Sequence, residues 1–245
     1  MRLKSYAAHT HQGPYLQINE DGYDFDFENE LYVIFDGFGG SGIGDRAVEK
    51  LKQDIKFFYS KIASDPNATM PLYYNPRNLL EGNALTNALL SAHQNLLKAN
   101  QEKPLAQKAG ASVIALVKSE NILILAGVGN CVAYHFREGK LKKLFIEDSF
   151  HSLSKESAQQ KFYNSPLNAL GMYPELGPTM KEVRLAAGDK IVLLTDGVYG
   201  PLREEEILYA LNKSAPDAQE RINSLLKLSN DRGNLDNQTA MILEY

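Results

Sequence analysis

The sequence predicts an α+β fold in which antiparallel sheets carry helices packed outside them. Residues 111–117, 121–126, 132–137 and 141–145 are short runs rich in β-branched and aromatic residues. Only Lys118-Ser119-Glu120, the Gly-rich turn 127–131 and Glu138-Gly139 separate them, and a parallel crossover needs about a dozen residues. Helical patterns come in pairs instead of alternating with strands, which argues against a repeating βαβ unit.

The first helix is read from Ile43, with apolar residues at Ala47, Leu51, Ile55, Phe58 and Ile62 in steps of three and four. A second starts at Leu85 and continues through Leu89, Ala92 and Leu96. Residues 204–211 and 218–228 give two more. Between the first pair, 64–83 holds Pro66, Pro71, Pro76 and Gly82 and reads as an irregular connection. Further strands are expected at 31–35, 190–194 and 238–244. No repeat or low-complexity tract interrupts the chain, so a single domain over 1–245 is expected.

Thirty acidic against 26 basic residues give the 245-residue chain a formal net charge of −4. That balance argues against nucleic-acid and membrane partners, both of which need clustered positive charge. One cysteine, Cys131, excludes an intramolecular disulfide framework and a cysteine-only zinc site. The longest apolar run, 122–128, is too short to span a bilayer. The opening MRLKSYAAHTHQ lacks the apolar core of a secretory signal. A cytoplasmic, reducing environment is the expectation.

The placement of aspartates is more informative. The apolar run 31–35 ends in Asp36-Gly37, and 190–195 ends in Asp196-Gly197. Asp236-Asn237 precedes the run at 238–243, and Asn19-Glu20-Asp21 lies ahead of Leu31. A carboxylate at the end of a buried strand is costly unless something neutralises it. Several in one cleft would raise one another's pKa and favour a divalent cation. Oxygen-only ligands select Mg²⁺ or Mn²⁺ over zinc. Two such ions about 3.5–4 Å apart can activate a water for in-line attack on phosphorus. Any one Asp-Gly pair taken alone reads better as a turn; the matching set keeps both readings open.

A competing pattern overlaps this one. Gly37-Phe38-Gly39-Gly40-Ser41-Gly42 satisfies G-x-G-x-x-G between a strand and a helix, as in a dinucleotide site. The chain then enters the Pro-rich connection where a second parallel strand is required, and Asp36 would face a pyrophosphate with the wrong sign. The dinucleotide-binding reading stays as a distant alternative.

Four segments in order, Asn19-Glu20-Asp21, Asp36-Gly37-Phe38-Gly39-Gly40, Thr195-Asp196-Gly197 and Asp236-Asn237, are similar to the motifs of metal-dependent serine/threonine protein phosphatases of type 2C. Gly110-Ala111-Ser112, Gly127–Asn130 and Asn168-Ala169-Leu170-Gly171 fall where further blocks of that family are found. The resemblance runs nearly end to end. It implies a four-layer αββα sandwich, two stacked antiparallel sheets flanked by helices, and a centre of two Mg²⁺ or Mn²⁺ ions. Asp36 would bridge the ions, the Gly37 carbonyl would bind one, and Asp196 and Asp236 would complete the other. Glu20 and Asp21 would stand around them. The implied reaction is hydrolysis of phosphoserine and phosphothreonine in a protein partner by a bridging hydroxide, served by Asp36 and Asp196, in a monomer. Residues 148–178, with His151, would form a flap.

Three positions depart from the family. Leu16 stands where an arginine binds the substrate phosphate, an interaction worth about 1.5–3 kcal/mol or roughly ten- to a hundredfold in rate; Lys4, His9 and His11 are possible substitutes. Phe38 occupies a position held by histidine in some members. Asn130 replaces an aspartate, and its neutral amide argues against a third ion. Leu16 and Asn130 together motivate an alternative, a catalytically weak or silent member that binds a partner. The other polar residues receive bland readings: His9-x-His11 a solvated or flexible terminus, His93 a surface or boundary position within the second helix, and His135 a strand residue without catalytic role. Cys131 reads as a small buried hydrophobe, Glu204-Glu205-Glu206 as a helix first turn, and Lys140, Lys142 and Lys143 as a solvated strand face.

Overall fold

The computed structural model describes residues 1–39, 42–63, 65, 67–150, 164–212 and 217–245. The chain runs β1 (Ser5–His11), β2 (Asp21–Asp26), β3 (Leu31–Gly39), α1 (Gly44–Ala63) and α2 (Leu80–Gln101). Two hairpins follow, one for each sheet: β4 (Ala109–Ser119) with β5 (Ile122–Val128), then β6 (Val132–Arg137) with β7 (Lys140–Phe145). The rest comprises β8 (Thr179–Arg184), β9 (Lys190–Leu194), α3 (Asp196–Tyr199), α4 (Glu204–Asn212), α5 (Ala218–Asp231) and β10 (Gln238–Glu244).

The strands form two five-stranded sheets, the first ordered β2-β3-β4-β5-β8 and the second β1-β10-β9-β6-β7. Every pairing is antiparallel. The α+β class and the stacked-sheet architecture expected from the sequence are both present. The context for a dinucleotide fingerprint is absent: Gly37 and Gly39 lie within β3, paired antiparallel to β4, with no parallel β-α-β unit around them. Gly40 and Ser41 of that pattern lie outside the described residues.

Side-chain alternation explains the layering. In β3, Leu31, Val33 and Phe35 pack under α1 and α2, while Tyr32 and Ile34 point into the space between the sheets. In β10, Ala240 and Ile242 face the helices of the other side, and Met241 and Leu243 meet the first sheet. The central strands are thus apolar on both faces, and burial removes apolar area at about 25 cal/mol per Å².

The helix α1 buries Ala47, Leu51 and Ile55 as its spacing requires. The helix α2 starts at Leu80, earlier than Leu85, because two buried asparagines belong to it and hold the preceding connection. Asn87 accepts the Leu72 and Tyr73 N–H groups at 2.9 and 3.2 Å, and Asn83 accepts that of Asn75 at 2.7 Å. The sequence reading omitted β1, β2 and β8. All three are edge strands with partly exposed, polar faces.

Gly197 is where the second sheet closes tightly. A Cβ there would lie 1.8 Å from the Asn237 carbonyl oxygen. Gly197→Ala is therefore expected to destabilise the fold by about 1–3 kcal/mol in urea unfolding. Gly177→Ala, whose Cβ would meet nothing within 4 Å, is expected to stay within about 0.5 kcal/mol. Equal midpoints for the two variants would contradict the close approach.

Candidate metal centre

Antiparallel pairing sets the end of one strand beside the start of its neighbour, and both sheets use this at one cleft. Asp21, the first residue of β2, stands directly across from Asp36 in β3, with Ser112 of β4 on Asp36's other side. In the second sheet, Asp196 follows β9 and Asp236 lies just ahead of β10, the strand paired with β9. Four acids far apart in sequence are thereby delivered to one place.

Hydrogen bonds stitch the two sheets together there. The Thr195 hydroxyl donates to Asp21 at 2.7 Å, and the Thr195 N–H donates to the Thr239 carbonyl at 3.0 Å. Asn237 accepts the Glu20 N–H at 2.8 Å and donates to the carbonyls of Gln12 and Ile18, each at 2.9 Å. The Asn130 amide donates to Asp196 at 2.9 Å and to the Asn164 carbonyl at 3.2 Å. Tyr199 donates its hydroxyl proton to the Asn130 carbonyl at 2.5 Å and accepts from Asn164 at 2.7 Å. Gly37 lies in β3, its N–H bonded to the Glu20 carbonyl at 3.1 Å. The Glu20 side chain accepts the Gly44 N–H at 2.6 Å, at the start of α1.

Asp36 Oδ2 is buried and finds no hydrogen-bond donor among the described residues. No three His, Cys, Asp or Glu side chains among those residues form a ready-made ligand group. The acids are gathered without closing on a point. An all-oxygen donor set with an orphaned carboxylate oxygen fits a hard dication and does not fit zinc.

A family model described as Protein phosphatase 2C matches residues 8–241. The chain belongs to the protein phosphatase 2C family. It is 25% identical over 247 residues to the serine/threonine protein phosphatase PstP of Mycobacterium tuberculosis, covering 98% of this chain and 44% of that protein. The chain therefore spans less than half the length of the curated relative it matches. Among solved structures, the S. agalactiae serine/threonine phosphatase superposes with a TM-score of 0.81 at 20% identity, covering 98% of each chain. The catalytic domain of PstP in complex with two manganese ions superposes with a TM-score of 0.78 at 23% identity, covering 98% of this chain and 96% of that one. These likenesses establish the type 2C fold.

The electrostatics of this type 2C cleft follow from crowding. Asp21 is buried, Asp36 and Asp196 keep part of their surface open to the cleft, and Asp236 sits at its exposed mouth. Surrounding protein desolvates the carboxyl groups, and desolvation is the largest cause of every shift. Burial and then the charge of Asp236 push Asp36 up to about 7. Burial and then Asp36 raise both Asp21 and Asp196 well above the carboxylate range. Asp236 and Glu20 are raised by the same desolvation. Bare, the cluster stores repulsion that a cation would relieve.

Other sequence expectations fare differently. Lys4 cannot stand in for an arginine, because β1 pairs with β10 so that Lys4 reaches the Tyr245 carbonyl at the far end of the sheet. His9 and His11 lie in β1, not in a flexible terminus, and His11 is the one placed near the start of β10. His93 is buried, not superficial, and accepts the Gly171 N–H at 3.1 Å. A bulge between Ala133 and Tyr134 shifts the β6–β7 register. Lys143 lies before that shift and, by strand alternation, shares a face of β7 with Leu141; it is only part-exposed, lying over the Tyr134 and Tyr199 rings and pairing with Glu147 at 2.8 Å. Lys140 and Lys142 are solvated. Cys131 is fully buried, with its thiol pKa raised by burial, and Glu204–Glu206 open α4. His135 sits 3.0 Å from Asp189, remote from the acids in its strand contacts. His151 and the rest of 151–163, the middle of the expected flap, lie outside the described residues. The sequence reading gave no role of their own to Thr195 or Asn237, although both adjoin acids it had singled out, and it read Asn130 only as a missing carboxylate, not as a donor to Asp196.

Unfolded carboxyls titrate near 4, whereas Asp36 titrates at about 7 when folded. Between those values the folded chain holds the extra proton, so stability is greatest on the acid side and falls as pH rises. Without divalent metal, the melting temperature is expected to fall between about pH 5 and 7.5, by at least about 2–4 °C. Asp36→Asn should flatten that slope. A wild-type slope of the opposite sign would contradict the clustering.

Proposed function

We propose that the chain is a Mg²⁺- or Mn²⁺-dependent phosphomonoester hydrolase acting on phosphoserine and phosphothreonine in proteins. It works as one domain over 1–245, as a cytoplasmic monomer. The observation that carries this is the meeting of Asp21, Asp36, Asp196 and Asp236 where the two sheets join, together with membership of the family.

Asp36, Asp21, Asp196 and Asp236 would hold two ions, with Glu20 and the Gly37 carbonyl beside them. When bound, such ions supply charge neutralisation, Lewis acidity and activation of water for attack on phosphorus. The chain's own part is to keep the oxygens oriented. Thr195 fixes Asp21, the Asn130 amide fixes Asp196, and Asn237 anchors the backbone at Glu20. Asn130 donates to Asp196 and so cannot act there as a further anionic ligand, which agrees with two ions and not a third. Phe38 brings no proton to the leaving oxygen. Leu16 lines the cleft beside Asp196 and Asp236, so no charge at that position grips the phosphate. A purely partner-binding role gives no reason to concentrate desolvated carboxylates, whose burial is costly.

Manganese-dependent hydrolysis of p-nitrophenyl phosphate and of a phosphothreonine peptide is expected, and Asp36→Asn should lower kcat by about a hundredfold or more. Leu16→Arg should raise kcat/KM for p-nitrophenyl phosphate about tenfold. Wild type and Asp36→Asn equally inactive on both substrates, with folding intact, would overturn the hydrolase reading.

A further inference from the structure

Next to the acids lies a cavity of about 570 Å³ with Asp196 and Asp236 at one end. That volume lies in the range of sites for drug-sized ligands and exceeds what a phosphate group requires. It runs from the acids toward Tyr134, Lys143 and Tyr199. Leu16 and Leu235 also line it, and they are 39% and 60% exposed.

The cations and the tyrosine hydroxyl at position 199 in its wall are already engaged. Lys143 pairs with Glu147 at 2.8 Å, and Arg232 pairs with Glu206. The Tyr199 hydroxyl serves Asn130 and Asn164. Glu204 adds a negative charge to the lining. What the cavity still offers a ligand is apolar surface: the two leucines, Leu202, Pro201 and the tyrosine rings. A neighbouring acid would meet Glu204 and a paired lysine, and gains little.

Resting on the hydrolase reading above, we propose that this cavity receives a large apolar side chain close in sequence to the phosphorylated residue of the protein substrate. The argument for that occupant is continuity. A phosphoresidue seated on the acids shares Asp196 and Asp236 with the cavity, so the chain leaving it passes the apolar lips. The leucine at position 16 then contributes wall area instead of a phosphate contact, and recognition shifts from the phosphate to its flanking residue.

The test compares phosphothreonine peptides in an alanine background. Leucine or glutamate is placed at each of the three positions on either side of the phosphothreonine, and kcat/KM is measured with Mn²⁺. Leucine at one of those positions is expected to raise kcat/KM about tenfold over alanine, with glutamate no better than alanine. Leu235→Ser and the double variant Leu16→Ser/Leu235→Ser should erase that preference, with p-nitrophenyl phosphate turnover unchanged in Leu235→Ser. Equal rates on all peptides by an active wild type would overturn the cavity assignment alone, as would a glutamate preference. A preference that survives the double variant would also overturn it. Silence toward every substrate, p-nitrophenyl phosphate included, would overturn the hydrolase reading and this inference with it.

Discussion

Four aspartates cannot share a small desolvated cleft as free anions, and the organisation of this chain around its cleft follows from that repulsion. Asp36 is driven to about 7, first because burial strips water from its carboxyl and then because the charge of Asp236 makes its ionisation harder. The physical remedies are protons or cations. A carboxylate oxygen with no donor among the described residues, Asp36 Oδ2, marks where those residues supply no remedy of their own.

The scaffold tolerates this because the cost is confined to one edge of a large apolar body. Three hydrophobic layers, under α1 and α2, between the sheets, and under α4 and α5, hold the strands in register. Antiparallel order then fixes which strand ends meet. Neutral donors do the fine placement: a threonine hydroxyl on Asp21, an asparagine amide on Asp196, and Asn237 on three backbone groups of residues 12–20. None of these adds charge to the cluster. The Asn130 amide is the clearest example, since a carboxylate in its place would worsen the repulsion and lose the hydrogen bond to Asp196.

The sandwich was legible in the sequence where strands are buried on both faces. Residues 132–137, 190–194 and 238–244 coincide with β6, β9 and β10, because continuous apolar runs with short turns leave few alternatives. Three of the four edge strands were not legible. β1 and β8 carry a polar, partly exposed face, and β2 alternates acids with aromatics that contact Tyr6 of the other sheet. Their strand character comes from the partner they pair with, not from their own composition. At the cleft, Asp36, Asp196 and Asp236 were visible as acids at strand ends. Lys143 was misread because it shares the inward face of β7 with Leu141 and reaches the Tyr134 ring of the neighbouring strand, and His93 because burial in α2 depends on the segment at Gly171 that packs over it. Side-chain donors such as Asn130 acquire meaning only once the chain's distant parts are adjacent.

Calorimetric titration of the metal-free protein with Mn²⁺ probes the carboxylate cluster without relying on any substrate. Uptake of two ions per chain, reduced in Asp36→Asn with its fold intact, is the expected result. No uptake at millimolar Mn²⁺ by a folded wild-type protein would contradict the account.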